Sequence, residues 1–129
     1  IAPSTRVVLG DSMGEMFAYF AASDVAFIGG SLLPLGGQNL IEACAVGTPV
    51  LIGPHTFNFA EATDQAITCG AAKRVAGASE LAQEIDQLLA NPAQRKSMAA
   101  AGLAFTAAHR GASARAYERV SSLLAQPGP

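Results

Sequence analysis

Positive charge is nearly missing from the first half of this sequence: Arg6 is the only lysine or arginine before Lys73. Charge of either sign is sparse, at 14% of 129 residues, and the formal net charge is −2. That balance gives no general reason to expect a nucleic-acid partner. The later bases are Lys73 and Arg74 in a predicted strand and Arg95 to Arg119 on predicted helices, a spread that reads as a solvated helix face more than as a membrane-binding patch. Cysteine is limited to Cys44 and Cys69, with no C-x-x-C spacing and no clustered histidines. A zinc site is therefore not expected; buried, reduced thiols are, which suits a cytosolic setting. No apolar run reaches the roughly 18 residues of a membrane-spanning helix. No basic segment leads into an apolar one as in a secretory signal. A Walker loop, a nucleophile elbow, a Ser/His/Asp set and the G-x-G-x-x-G of dinucleotide binders are all missing.

What is present is apolar: half of the residues are hydrophobic, enough for the packed core of one domain over 1–129. The chain begins one short segment before its first apolar run, as an excised piece of a larger protein would, and its tail at 125–129 is expected to fray. Strands are predicted at Arg6–Leu9, Val25–Ile28, Pro49–Ile52 and Ala71–Val75, the last near an edge because Lys73 and Arg74 interrupt it. Helices are predicted from about Asp11 to Ala22, Asn39 to Val46 and Phe59 to Cys69, the latter two stopped by Gly47 and Gly70. A further helix starts at Ser79, with Leu81, Ile85, Leu88 and Leu89 on one face. Asn91 and Pro92 then have the N-cap and N1 pattern of another, with Met98, Ala101, Phe105 and Ala108 on its buried side. Gly111 breaks that helix, and a last one runs from Ser113 to about Leu124.

Strand–helix alternation of this kind predicts an α/β fold, a Rossmann-like, three-layer arrangement of a parallel sheet with helices on both faces. Ligands bind such sheets beyond the C-terminal ends of the strands. The loops expected there, 10–15, 29–38 and 53–58, hold most of the unusual glycines and polar residues, His55 included.

The stretch GGSLLPLGGQNLIE (29–42) is the densest of these. Glycine lets backbone N–H groups approach a ligand closely, and a helix N-terminus beside them suits a phosphate. Three helix starts pair a capping residue with a glutamate three positions on: Ser12 with Glu15, Asn39 with Glu42 and Asn58 with Glu61. All three serve as caps on the plain reading. Glu42 differs, because its loop carries two glycine pairs and a carboxylate there can accept from both hydroxyls of a ribose. His55 has two readings, as a donor or acid toward a phosphate or carboxylate, or as a pin for its loop. His109 is expected to make a favourable contact at a helix C-terminus.

The ordered set GDSMGE (10–15), FIGGS (27–31), GGQNLIEA (36–43) and GPHTFNFAEA (53–62) closely resembles the C-terminal part of the bacterial 3-deoxy-D-manno-octulosonic acid (Kdo) transferases. The resemblance covers about residues 6–110. It implies an incomplete C-terminal domain of a two-domain (GT-B) glycosyltransferase. The family transfers Kdo from CMP-Kdo to a lipid A precursor in lipopolysaccharide synthesis. It works at the cytoplasmic face of the bacterial inner membrane, with inversion, without a required metal and with no cofactor. The implied site residues are Glu42 on the ribose and Gly36, Gly37, Gln38 and Asn39 on phosphate. Asp11, Ser12, Met13 and Gly14 would border the cytosine, with Gly30, Ser31 and His55 near phosphate or the Kdo carboxylate. Many members have histidine in place of Gln38, which leaves a backbone role there.

The catalytic base of the family lies in an N-terminal domain, so this piece alone is expected to be inactive. With strand order 3-2-1-4-5-6, the missing strands would leave Arg6–Leu9 without neighbours and expose an apolar edge, favouring a homodimer. Two other readings stay open: a UDP-sugar transferase or epimerase piece of the same fold, and a non-catalytic module using the basic C-terminal helices at membranes.

Overall fold

The computed structural model describes residues 2–109 and 111–124. The element order is α1 (Met16–Ala21), β1 (Ala26–Ile28), α2 (Ile41–Ala45), β2 (Val50–Ile52), α3 (Ala60–Thr68), β3 (Ala72–Arg74), α4 (Ala78–Ala90), α5 (Pro92–Ala108) and α6 (Ala112–Leu124). The strands form one parallel sheet in the order β1-β2-β3. The register pairs Ile28 with Ile52 and Ile52 with Arg74, so all three strands end at one level.

Alternation along the strands sends side chains to two faces, and both are covered. Ala26, Ile28, Val50, Ile52 and Ala72 pack with Leu40, Ala43, Cys44, Ala66 and Phe105 on one side. Leu51 packs with Val75, Leu88 and Met98 on the other. Burial on both sides is what makes β1 and β2 continuous apolar runs in the sequence, whereas β3 at the sheet edge carries the half-buried Lys73 and Arg74. Helix α5 contributes to each cluster, Met98 to one and Phe105 to the other. Where α5 passes α2, Gly102 permits close approach, since a β-carbon there would lie 3.1 Å from the Cys44 carbonyl oxygen.

Four expectations are corrected. Arg6–Leu9 is not a strand: no strand among the described residues pairs with it, and Val7, Val8 and Leu9 are exposed. An extended segment gains ladder bonds only from a neighbour, and none pairs with it here. Helix α1 buries none of its residues, and only Phe20 packs partly against the core. The expected caps Ser12, Asn58 and Ser79 make no capping bond; Glu80 instead accepts the Ala76 N–H at 2.6 Å. Leu89 and Ala108 are exposed rather than buried.

Asn91 does cap α5, its side-chain oxygen accepting from the Gln94 N–H at 3.0 Å with Pro92 at N1. His109 closes that helix with Nδ1 2.7 Å from the Phe105 carbonyl oxygen. The tail expected to fray, 125–129, lies outside the described residues.

Candidate functional site

Two loops leave the C-terminal ends of neighbouring strands β1 and β2 and are tied together mainly through backbone. Ser31 is fully buried. Its hydroxyl donates to the Ile28 carbonyl and accepts the Gly53 N–H at 2.8 Å. Its own carbonyl accepts the His55 N–H at 2.9 Å. Gly53 comes so close that a β-carbon would sit 2.3 Å from the Ser31 carbonyl oxygen.

A second tie lies further out. Asn58 donates its backbone N–H to the Gly36 carbonyl at 3.2 Å and its side-chain amide to the Leu35 carbonyl at 3.2 Å. Gly36 has φ +90°, and a β-carbon there would meet Asn58 Nδ2 at 2.3 Å. Only glycine satisfies both conditions. Gly37 donates its N–H to the Gly30 carbonyl at 3.1 Å, closing the first loop on itself.

The chain then enters α2. Asn39 accepts the Ile41 N–H at 2.9 Å and donates its side-chain amide to Glu42 Oε1 at 3.2 Å. The carboxylate is half-buried and keeps Oε2 for another donor. A cleft of about 510 Å³ opens here, lined by Met16, Phe20, Phe27, Gly29, Gln38 and Glu42. Among the described residues, the backbone N–H groups of Gln38 and Asn39 donate to no backbone carbonyl. The cleft thus joins an apolar wall to a carboxylate and to amides beside a helix start, an arrangement that can hold a ring, hydroxyls and an anion. No nucleophile–base pair converges on it.

The sequence expectation joined three loops, and the structure interlocks two. Asp11, Ser12, Met13 and Gly14 are exposed, and no hydrogen bond among the described residues links them to the other loops. Ser12 bonds to Glu15 and to the Tyr19 hydroxyl instead. This segment reaches the cleft only through Met16 and Phe20 of the helix that follows. Ser31 lies beneath the surface with its hydroxyl committed, so it braces the loops. His55 is half-buried with its backbone pinned. The aromatic wall, Phe20 and Phe27, was absent from the sequence expectation; both fit equally well as plain core positions. A larger groove, about 620 Å³ between α3 and α5, is lined by Asp64, Phe105 and His109 at the far end of α3 from these glycines. It has little polar lining.

The sequence itself decides the family. Residues 1–104 match the glycosyl transferases group 1. The chain belongs to that family. A 3-deoxy-D-manno-octulosonic acid transferase of Bordetella pertussis is 53% identical over 95% of this chain and 28% of its own length. The Haemophilus influenzae enzyme of the same name is 36% identical over 94% of this chain and 29% of its own length. The chain therefore spans less than a third of these curated relatives. Among solved structures, the C-terminal CMP-Kdo binding domain of WaaA from Acinetobacter baumannii superposes with a TM-score of 0.70 at 33% identity. That match covers 74% of this chain and 50% of the other. As a group 1 glycosyl transferase with that neighbour, the chain has the parallel α/β arrangement of a C-terminal GT-B domain.

Proposed function

We propose that this chain is the donor-binding part of a transferase moving Kdo from CMP-Kdo to a lipid A precursor. The observation that carries the reading is the cleft at the start of α2. There an apolar wall, Glu42, Gln38 and Asn39 line one space at the strand ends, and the Gln38 and Asn39 N–H groups donate to no backbone carbonyl among the described residues. Glu42 accepts from the ribose hydroxyls through Oε2, while Asn39 steadies Oε1. Phosphate sits against the Gly36–Asn39 amides, with Gly37 contributing shape because its N–H is spent on Gly30. The cytosine lies against Met16 and Phe20, on the side from which Asp11, Ser12, Met13 and Gly14 lead into α1. His55 and Gly30 lie toward the phosphate and the Kdo carboxylate, with Ser31 bracing them from below.

The base that activates the acceptor hydroxyl belongs to the remainder of the full-length protein. Among the described residues, no helix is long and apolar enough to cross a membrane. We place the full-length protein at the cytoplasmic face of the inner membrane because its acceptor is a lipid.

The test is Glu42→Ala in the full-length protein, with CMP-Kdo as the varied substrate. Loss of a charge-assisted pair of hydrogen bonds predicts a Michaelis constant raised by roughly tenfold or more. An unchanged constant sinks the ribose role. Turnover of UDP-sugars in place of CMP-Kdo would redirect the reading to another donor.

A further inference from the structure

We infer that Arg74 is a positioning residue that holds the His55 loop in the shape the donor site uses. The register pairs Arg74 with Ile52, so the last residue of β3 lies beside the last residue of β2, one position before Gly53. From there its guanidinium reaches across the loop. Nη1 donates to the Gly53 carbonyl at 3.1 Å, the Pro54 carbonyl at 3.3 Å and the Thr56 hydroxyl at 3.3 Å. Nη2 donates to Asp64 Oδ1 at 3.1 Å, which anchors the fork to α3.

These acceptors flank His55 on both sides in the chain. Arg74 holds them from one side and the Ser31 carbonyl holds the His55 N–H from the other. Pro54 has no N–H, so this stretch can make few bonds of its own, and a single planar donor satisfies two of its carbonyls at once. The arrangement needs a fork. An ammonium is a point donor and cannot span Pro54 and Asp64 together in one plane. Arg74 itself is turned to the loop backbone, so it acts through His55 and not on the ligand.

This inference rests on the donor-site reading, and the experiment separates the two. In the full-length protein, Arg74→Met keeps the stem and removes the fork. It is expected to lower kcat/KM for CMP-Kdo about tenfold, with Arg74→Lys recovering only part. In a His55→Ala background the same change is expected to cost less than twofold, because the residue it acts through is gone. Equal factors in both backgrounds overturn the inference, as does an Arg74→Met variant with full activity. Amide hydrogen exchange supplies a readout without substrate. Arg74→Met is expected to speed exchange at His55 at least tenfold while Leu51 in β2 stays unchanged; equal protection at His55 overturns the inference. If Glu42→Ala and His55→Ala both leave CMP-Kdo turnover intact while the exchange difference persists, the donor reading fails and the loop-holding role of Arg74 stands.

Discussion

Replacing Gly53 by alanine puts a β-carbon where the structure has no room. It would lie 2.3 Å from the Ser31 carbonyl oxygen, 2.4 Å from its carbon and 2.7 Å from the Leu32 nitrogen. All three are backbone atoms, so no side-chain rotation relieves the overlap. The loops must separate. Separation breaks the Gly53–Ser31 hydroxyl bond of 2.8 Å and the His55–Ser31 carbonyl bond of 2.9 Å. Overpacking of a tight site costs about 1–3 kcal/mol, and two buried hydrogen bonds add about 1 kcal/mol each.

The sum, about 3–5 kcal/mol, is a large part of the roughly 5–15 kcal/mol that holds a native domain. At about 3–5 °C per kcal/mol for a chain of this size, the melting temperature should fall by about 10–25 °C. Thermal unfolding followed by circular dichroism reads this directly. Gly29 is the control: a β-carbon there meets nothing within 4 Å and its φ is unstrained, so Gly29→Ala should stay within about 0.5 kcal/mol of the parent. A Gly53→Ala variant that melts within about 3 °C of the parent would show that the loops are not locked through this contact.

Lys73 holds the buried Glu84 through Nζ–Oε1 at 2.6 Å, while Glu84 Oε2 has no partner among the described residues. Lys73→Met alone should therefore cost about 3 kcal/mol, whereas Lys73→Met with Glu84→Leu should lie near the parent in denaturant unfolding. A double variant no better than the single one would contradict this account. Burial, and next the neighbouring Cys69, push the Cys44 thiol from 9.0 up to about 11. The unfolded chain then loses its proton before the folded one, so stability is level below about pH 9 and falls from there to about pH 11, by a few kcal/mol at most, on the order of 3. Cys44→Ala should remove that slope in pH-dependent melts. Exposed Cys69 should be labelled by a thiol reagent at pH 8 well before buried Cys44, and equal rates would refute the burial.

Strands β1 and β2 were legible because each is a short apolar run between covered faces, and β3 because apolar Ala71, Ala72 and Val75 bracket Lys73 and Arg74. Arg6–Leu9 carries the same local signal and forms nothing, since a ladder depends on a neighbour that local pattern does not report. Capping failed and succeeded for an equally physical reason. Ser12 and Asn58 found other partners, in Tyr19 and Leu35, while Asn91 is set in place by Pro92. The glycine-rich loop and the 53–58 loop were visible from composition, but their lock was not. Ser31 and Arg74 act across distances of 22 and 21 residues. Both depend on the sheet register. Arg74 had read only as an interruption of an edge strand.

The two loops are locked to each other chiefly through main-chain atoms, one buried serine and the Asn58 amide, so their outward side chains take little part in the lock. Leu33, Leu35 and Phe57 are about two-thirds exposed and Gln38 is open to solvent. Gln38 lines the cleft and Leu33 and Leu35 line a neighbouring hollow beside Gly30, so replacing these side chains alters what the loops present without removing the main-chain ties. A scaffold of that kind separates the task of folding from the task of recognition. An engineer could randomise those four positions in search of new ligands and expect most of the library to fold.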